Sequence, residues 1–442
     1  MKLTVQTHLD DAWRDAATVT FDAPERGILG ATRFAYDDDY FFEHAVIDAV
    51  NADVNDRRAV SVKTPVTLET RRLPTWPAWL LDLIPQGVAR VRLAEEIGLR
   101  SDDPALEIQL LLRAGGSPIG NLRLKEAWEA EQQRLTGIRC PPLVDHDIAT
   151  KSERFLDVVE RFAYLASGSS GVQGEWPKAL MTRHRDGFWY PDPFVRTEDG
   201  IEHAIVKLLR SNNADDALII ASEEPYLRIA EAFGLTVAAP LRYGNGTLFI
   251  PRFDRTTVPG QVFLHGQESL VSAMGIAEFG RRGHHEDYLA MVQACSDDPA
   301  ADTLEYVLRD VLNAAMGNPD NHGRNTALSK SASGGIRLSP LYDFAPMRLS
   351  AAGIVRATRW RCLGGNDLDG DWSAVCGAAA CEGLTAEDLR DALLNRMDFI
   401  RNLPKLAAET GVSQDVIARA FNAEAVAAAL ERLEGSCRAC DP

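Results

Sequence analysis

The stretch GNPDNHGRN, Gly317 to Asn325, sets a carboxylate (Asp320), an imidazole (His322) and a carboxamide (Asn325) at fixed offsets. Phosphoryl transfer asks this of a loop: an Asp that accepts or orients the proton of the attacking hydroxyl, and an Asn five residues later that binds a divalent metal. A second carboxylate is then needed for the metal, and Asp343 in LSPLYDFAPM is the candidate. Taken alone, each piece reads as an ordinary turn or strand end, because short motifs match often by chance. Occurring together and in order, they point to a phosphotransfer site.

Two elements must position these groups. ADTLEYVLRDVLNAAM carries apolar residues at Leu304, Val307, Leu308, Val311, Leu312 and Met316, a helical spacing that buries one face. It should stop at Gly317, before the turn chemistry of Asn318-Pro319-Asp320-Asn321. Between Asn325 and Asp343, TALSK and IRLSPLY read as two short strands joined by the glycine turn SASGG, and such a hairpin returns Asp343 beside Asn325. His322 is read as shaping the loop through hydrogen bonds, since Asp320 already fills the role of base.

Further upstream, SGSSGVQGEWPKALM offers Gly168, Gly171 and Gly174, whose amides can turn towards an anion, with Lys178 as a positive charge. The stretch lacks the Gly-Lys-Ser/Thr ending of a Walker A loop, and a flexible Gly/Ser linker is the competing reading. GFWYPDPF and HAIVKLL read as strands, with Lys207 on the second, where it can face phosphate oxygens. SEEPYLRIAEAFGL reads as a helix capped by Ser222, with Glu223 on its first turn, able to pair with Lys207 or simply to favour the helix dipole. TLFIPRFDR is a further strand. The order is glycine loop, lysine strand, glutamate helix, hinge strand, catalytic loop, metal carboxylate.

At 442 residues, with 45% hydrophobic and 25% charged residues, the chain has room for two or three ordinary globular domains. Its net charge of −17 disfavours autonomous binding to nucleic acid or an anionic membrane. The opening MKLTVQTHLDDAWRDA lacks the apolar core of a signal peptide, and no apolar run approaches a membrane span, so a cytoplasmic location is expected. Seven cysteines over this length suit reduced thiols, and Cys437 and Cys440 read as a reduced tail. LTVQTH, ATVTFDA and GILGATRFAY should be short strands of a small leading sheet, LPTWPAWLLDLIPQGVARVRLAEEIGL should end as a helix near Gly98, and Trp76 and Trp79 should be core anchors. After Ala351 the chain reads as mostly helical, with a capped start at Leu384 to Asp388.

With SSGVQGEWPKAL, IPRFDR, FLHGQESL, GNPDNHGRN and LSPLYDF in this order, the chain resembles HipA-type serine/threonine kinases, the toxin half of bacterial toxin-antitoxin pairs. The resemblance runs from about Ser167 to Met347, with weaker echoes in LPTWPAWLLDLIPQG and IGNLRL. It implies an α+β, protein-kinase-like bilobed catalytic unit with an additional β-rich N-terminal domain and a mainly helical C-terminal lobe. The segments implied are 1–150, 151–258 and 259–442. It also implies ATP with Mg2+, a protein serine or threonine as acceptor, and a small DNA-binding HipB-like antitoxin as partner. By position, Asp320 is the base, Asn325 and Asp343 the metal ligands, Lys178 and Lys207 the phosphate contacts, and Arg252, Phe253 and Asp254 the border of adenine and ribose. Ser170, Gly171, Val172 and Gln173 belong to the nucleotide loop, where Ser169 or Ser170 is the expected autophosphorylated residue. Two rival readings stay open: a phosphotransferase acting on a small alcohol or aminoglycoside, and a catalytically silent nucleotide-binding regulatory module.

Overall fold

The computed structural model describes residues 1–45, 58–163, 176–364 and 370–437. The chain divides into two units, each assembled from separate stretches. The first comprises Met1–Arg210, Arg242–Phe279 and Ala327–Ile336; the second comprises Ser211–Leu241, Gly280–Thr326 and Arg337–Pro442.

The first unit is built on two five-stranded antiparallel sheets. In the leading sheet, β1 (Lys2–Leu9), β2 (Ala12–Phe21), β3 (Thr32–Tyr36), β4 (Arg71–Leu73) and β5 (Leu122–Leu124) take the order β4-β3-β2-β1-β5. The stretches LTVQTH and ATVTFDA fall on β1 and β2 as expected. GILGATRFAY is a strand only from Thr32, because Gly27 takes φ 56° inside a 3-10 turn, Pro24–Leu29. A Cβ at Gly27 would lie 2.5 Å from the Pro104 carbonyl oxygen, so a side chain is excluded there. Trp76 and Trp79 are core residues at 1% and 4% exposure, the former edge-on to Phe21 and the latter to Phe34. The following helix, Gly87–Ile97, ends where Gly98 adopts the left-handed conformation.

The second sheet contains β6 (Lys178–His184), β7 (Trp189–Pro191), β8 (Gly200–Leu208), β9 (Arg242–Gly244) and β10 (Thr247–Pro251), ordered β7-β6-β8-β10-β9. Its apolar face packs Ala179, Met181, Trp189, Ala204, Val206 and Phe249 together. Two expected strands are shorter than their sequences suggested. GFWYPDPF leaves the sheet at Pro191 into a 3-10 turn, and the strand of TLFIPRFDR ends at Pro251.

The second unit is mainly helical. Helix Ala214–Phe233 begins about two turns before the expected Ser222 cap, so Glu223 lies mid-helix and not on a first turn. The start is set by Asn213, whose side chain accepts from the Asp215 amide, with Asp215 and Asp216 favoured in the first turn by the helix dipole. The Ser222 hydroxyl instead donates back to the Leu218 carbonyl at 2.7 Å. Helix Pro299–Met316 has Asp298 as its N-cap and Pro299 at its first turn. Helices Trp372–Ala379, Ala386–Leu394, Met397–Thr410, Gln414–Ala420 and Ala423–Cys437 follow, the second opened by the Thr385/Asp388 capping box. Among the described residues no helix is long and apolar enough to cross a membrane.

Candidate active site

Helix Pro299–Met316 delivers the loop as its sequence predicts. It stops at Gly317, which has φ 70° in the left-handed region. A Cβ there would sit 2.1 Å from the Ala420 carbonyl oxygen, and the Tyr226 hydroxyl donates to the Met316 carbonyl at 2.9 Å, so the helix end is pinned from two sides. Gly317→Ala should therefore cost about 2–4 kcal/mol, combining the left-handed penalty with displacement of backbone. Urea unfolding of the two proteins measures it.

Beyond the glycine, hydrogen bonds fix the loop. Asn318 is buried, its amide N donating to the Asn313 carbonyl and its side-chain Nδ2 to Asn313 Oδ1 at 2.8 Å. Its own Oδ1 accepts from the Asp320 backbone N at 3.3 Å. The Asn325 backbone N donates to the His322 carbonyl at 2.9 Å, and Asn325 Nδ2 donates to the Asp320 carbonyl at 3.0 Å. His322 Nε2 stands 3.4 Å from Asp320 Oδ1, which fits a histidine that shapes the loop.

After Asn325 the chain forms strands Ala327–Lys330 and Ile336–Leu338, the hairpin read from the sequence, and then reaches Asp343. The Leu341 amide donates to the Thr236 carbonyl at 2.8 Å, and the Tyr342 hydroxyl to the Arg324 carbonyl at 3.0 Å. Asp343 takes φ 53°, a left-handed conformation uncommon for a non-glycine residue and retained where surroundings impose it. Asp320, Asn325 and Asp343 line one open pocket, together with Asn313, Asn318, Asn321, His285, Tyr306, Arg309 and Asp310. Of these, Asn318 and Asn321 read from sequence as turn formers only. His285 and Asp310 carried no sequence signal, because nothing local marks a buried polar residue on a helix.

The donor chemistry of this pocket fits a hard divalent cation. The Asn325 amide is oriented by its bond to a carbonyl, which can only accept, so Nδ2 is the bonded end and Oδ1 the oxygen donor. Asp343 adds a carboxylate to the same pocket. Among the described residues no group of three or more His, Cys, Asp or Glu side chains is placed to hold a metal. Mg2+ is commonly held by one or two protein oxygens, with waters and substrate phosphates completing its shell.

The remaining expected residues are not among those that line this pocket. Lys178 and Lys207 are paired in register on β6 and β8, both buried, and the Lys207 ammonium lies 5.4 Å from the centre of the Trp176 ring. Glu223 is buried in helix Ala214–Phe233 of the second unit. Arg252 and Asp254, just past β10, have their side chains inside the first unit. Arg252 Nε donates to Asp254 Oδ1 at 2.9 Å, and its other nitrogens reach Asp254 Oδ2 and Asp192. Phe253 lies between them. Ser169, Ser170, Gly171, Val172 and Gln173 lie outside the described residues.

Residues 170–399, more than half of the chain, match the HipA-like C-terminal domain. The chain is 28% identical over 280 residues to Y4mE of Sinorhizobium fredii (strain NBRC 101917 / NGR234), a protein named as a candidate kinase; the match spans 59% of this chain and 62% of that protein, less than two thirds of its length. A HipA chain from the Shewanella oneidensis MR-1 complex of HipA, HipB and operator DNA superposes with a TM-score of 0.62 at 17% identity, covering all of both chains, which establishes a shared fold. The chain carrying the Asp320 loop thus belongs to the HipA family, defined by the HipA-like C-terminal domain.

Proposed function

We propose that this protein is an ATP- and Mg2+-dependent serine/threonine kinase that transfers a γ-phosphoryl group to a protein hydroxyl. The observation that carries the reading is the convergence of Asp320, Asn325 and Asp343 on one pocket, in a chain of the HipA family. Asp320 accepts or orients the proton of the attacking hydroxyl. Asn325 Oδ1 and the Asp343 carboxylate would hold a divalent cation, which when bound neutralises charge on phosphate oxygens. The Asn318 and Asn325 hydrogen bonds fix the backbone on both sides of Asp320, so its carboxylate is aimed before any substrate arrives. Lys178 and Lys207 are assigned as phosphate contacts, and Ser169 or Ser170 as the site of self-phosphorylation. A small DNA-binding HipB-like antitoxin is the proposed partner, and the proposed location is the cytoplasm.

Intact-mass analysis after incubation with Mg-ATP, beside Asp320→Ala, tests this. Phosphate on the parent protein alone, mapped to Ser169 or Ser170, is the expected result. ATP turnover that appears only with a low-mass alcohol would move the assignment to a small-acceptor phosphotransferase. Binding of ATP with no turnover under any condition would leave a regulatory nucleotide-binding module.

A further inference from the structure

Behind the Asp320 loop lies a polar network, all of it within the second unit. Asp310, on helix Pro299–Met316, is 3% exposed. Its Oδ2 accepts from Trp360 Nε1 at 2.8 Å, its Oδ1 accepts from the Arg356 guanidinium, and His285 Nε2 lies 3.5 Å from Oδ1. Burial opposes its ionisation, but Arg356 and its other donors hold the carboxyl below its ordinary value. His285 stacks on Trp360 with ring centres 4.7 Å apart, and its Nδ1 meets the Tyr306 hydroxyl at 2.9 Å. Burial brings its pKa down to about 4, so at neutral pH the imidazole is uncharged and the Asp310 negative charge is matched by Arg356.

Arg356 and Trp360 flank Thr358, so Asp310 clamps a five-residue strap from both ends. The peptide of Thr358 faces the Asp320 loop. Asn321 Nδ2 donates to the Thr358 carbonyl at 3.0 Å, and Asn321 Oδ1 accepts from the Thr358 N at 3.3 Å. This two-way pairing copies a strand ladder and leaves the carboxamide a single orientation. The strap is itself paired in parallel, Gly283 with Thr358 and His284 with Arg359. Asn321 directly follows Asp320, so the rotation of its side chain sets the peptide on which Asp320 is carried.

We propose that Asp310 is a positioning residue for phosphoryl transfer: it fixes the strap Arg356 to Trp360, whose Thr358 peptide holds Asn321 and thereby aims Asp320. The inference rests on the kinase reading above and adds to it a residue that acts through the strap and Asn321 and not as base or metal ligand. Removal of such an outer partner typically lowers activity by roughly 10–100-fold.

The test uses full-length protein, Asp310→Asn and Asn321→Ala, with two readouts. In steady-state transfer, both variants should lose roughly 10–100-fold in kcat, with KM for ATP within about twofold. The double variant should be little worse than the worse single one, since both act along the same chain of contacts. In amide hydrogen exchange, which needs no activity, Asp310→Asn should speed exchange in residues 318–326 and 356–361 and leave helix 397–410 unchanged. Unchanged exchange in 318–326 overturns the inference, as does a uniform rise across the second unit, which marks loss of stability alone. Multiplicative kinetic effects overturn it as well. If Asp310→Asn does not fold, Asn321→Ala decides by the same exchange in 318–326. A parent protein that transfers nothing would defeat the kinase reading, and hydrogen exchange would still decide whether Asp310 holds the loop.

Discussion

Asp320→Ala should lower kcat for phosphoryl transfer by roughly 10²–10⁴-fold, the usual contribution of a positioned general base. The substitution keeps the two hydrogen bonds that the main chain of Asp320 makes within the loop. Its N is tied to Asn318 Oδ1 and its carbonyl orients the Asn325 amide, and alanine keeps both bonds. The metal-binding face should survive, so affinity for Mg-ATP should change by less than about threefold while the chemical step collapses, the pattern of an interaction made only in the transition state. Single-turnover kinetics with a separate Mg-ATP titration measures the two quantities. A parallel loss of affinity would assign Asp320 to binding. Asp343→Ala is the contrasting variant: with a metal ligand removed, its activity should recover partly at raised Mg2+, whereas that of Asp320→Ala should not.

The second large effect concerns stability. Arg252→Ala should destabilise the first unit by about 3–5 kcal/mol, because it leaves two buried carboxylates with only Arg255, 3.4 Å from Asp192 and 3.9 Å from Asp254, as counter-charge. The Arg252 side chain is fully buried and bridges Asp192 and Asp254. Around that bridge, the Gly120 amide donates to Asp254 Oδ2 at 2.8 Å and the Thr182 hydroxyl to Asp192 Oδ1 at 2.6 Å. Burial opposes ionisation of both acids, but Arg252 and its neighbours hold both carboxyl groups below the usual range, so each is charged at neutral pH. Arg252→Lys should fail to rescue most of the loss, since one ammonium cannot reproduce a planar fork that serves two carboxylates. Urea unfolding followed by a probe in the first unit reads the effect. A raised KM for ATP at unchanged stability would instead make Arg252 a nucleotide contact, the role its family position implies.

Local chemistry made much of the second unit's site legible in advance. Apolar spacing in residues 304–316 marked a helix, Gly317 marked its end, and Asp320 and Asn325 followed at an offset that a short loop preserves in any context. The glycine turn at SASGG predicted the hairpin, and Asp343 joins Asp320 and Asn325 in one pocket. These features depend on neighbours a few residues away, which a sequence displays directly. The helix start at Ala214 is set locally too, by Asn213, while Ser222, which offers the same capping chemistry, bonds instead to Leu218 four residues earlier.

Partner choice among distant groups is what only the tertiary structure decided. Arg252 reads as a strand-end arginine, yet its charge is matched by Asp192, 60 residues earlier. Asp310 reads as one polar position on an amphipathic helix, yet it clamps Trp360, 50 residues on, behind Asn321. A buried charge is tolerable only where an opposite charge or donors meet it. Which ones do so depends on how the chain folds back, and no spacing along the sequence records that.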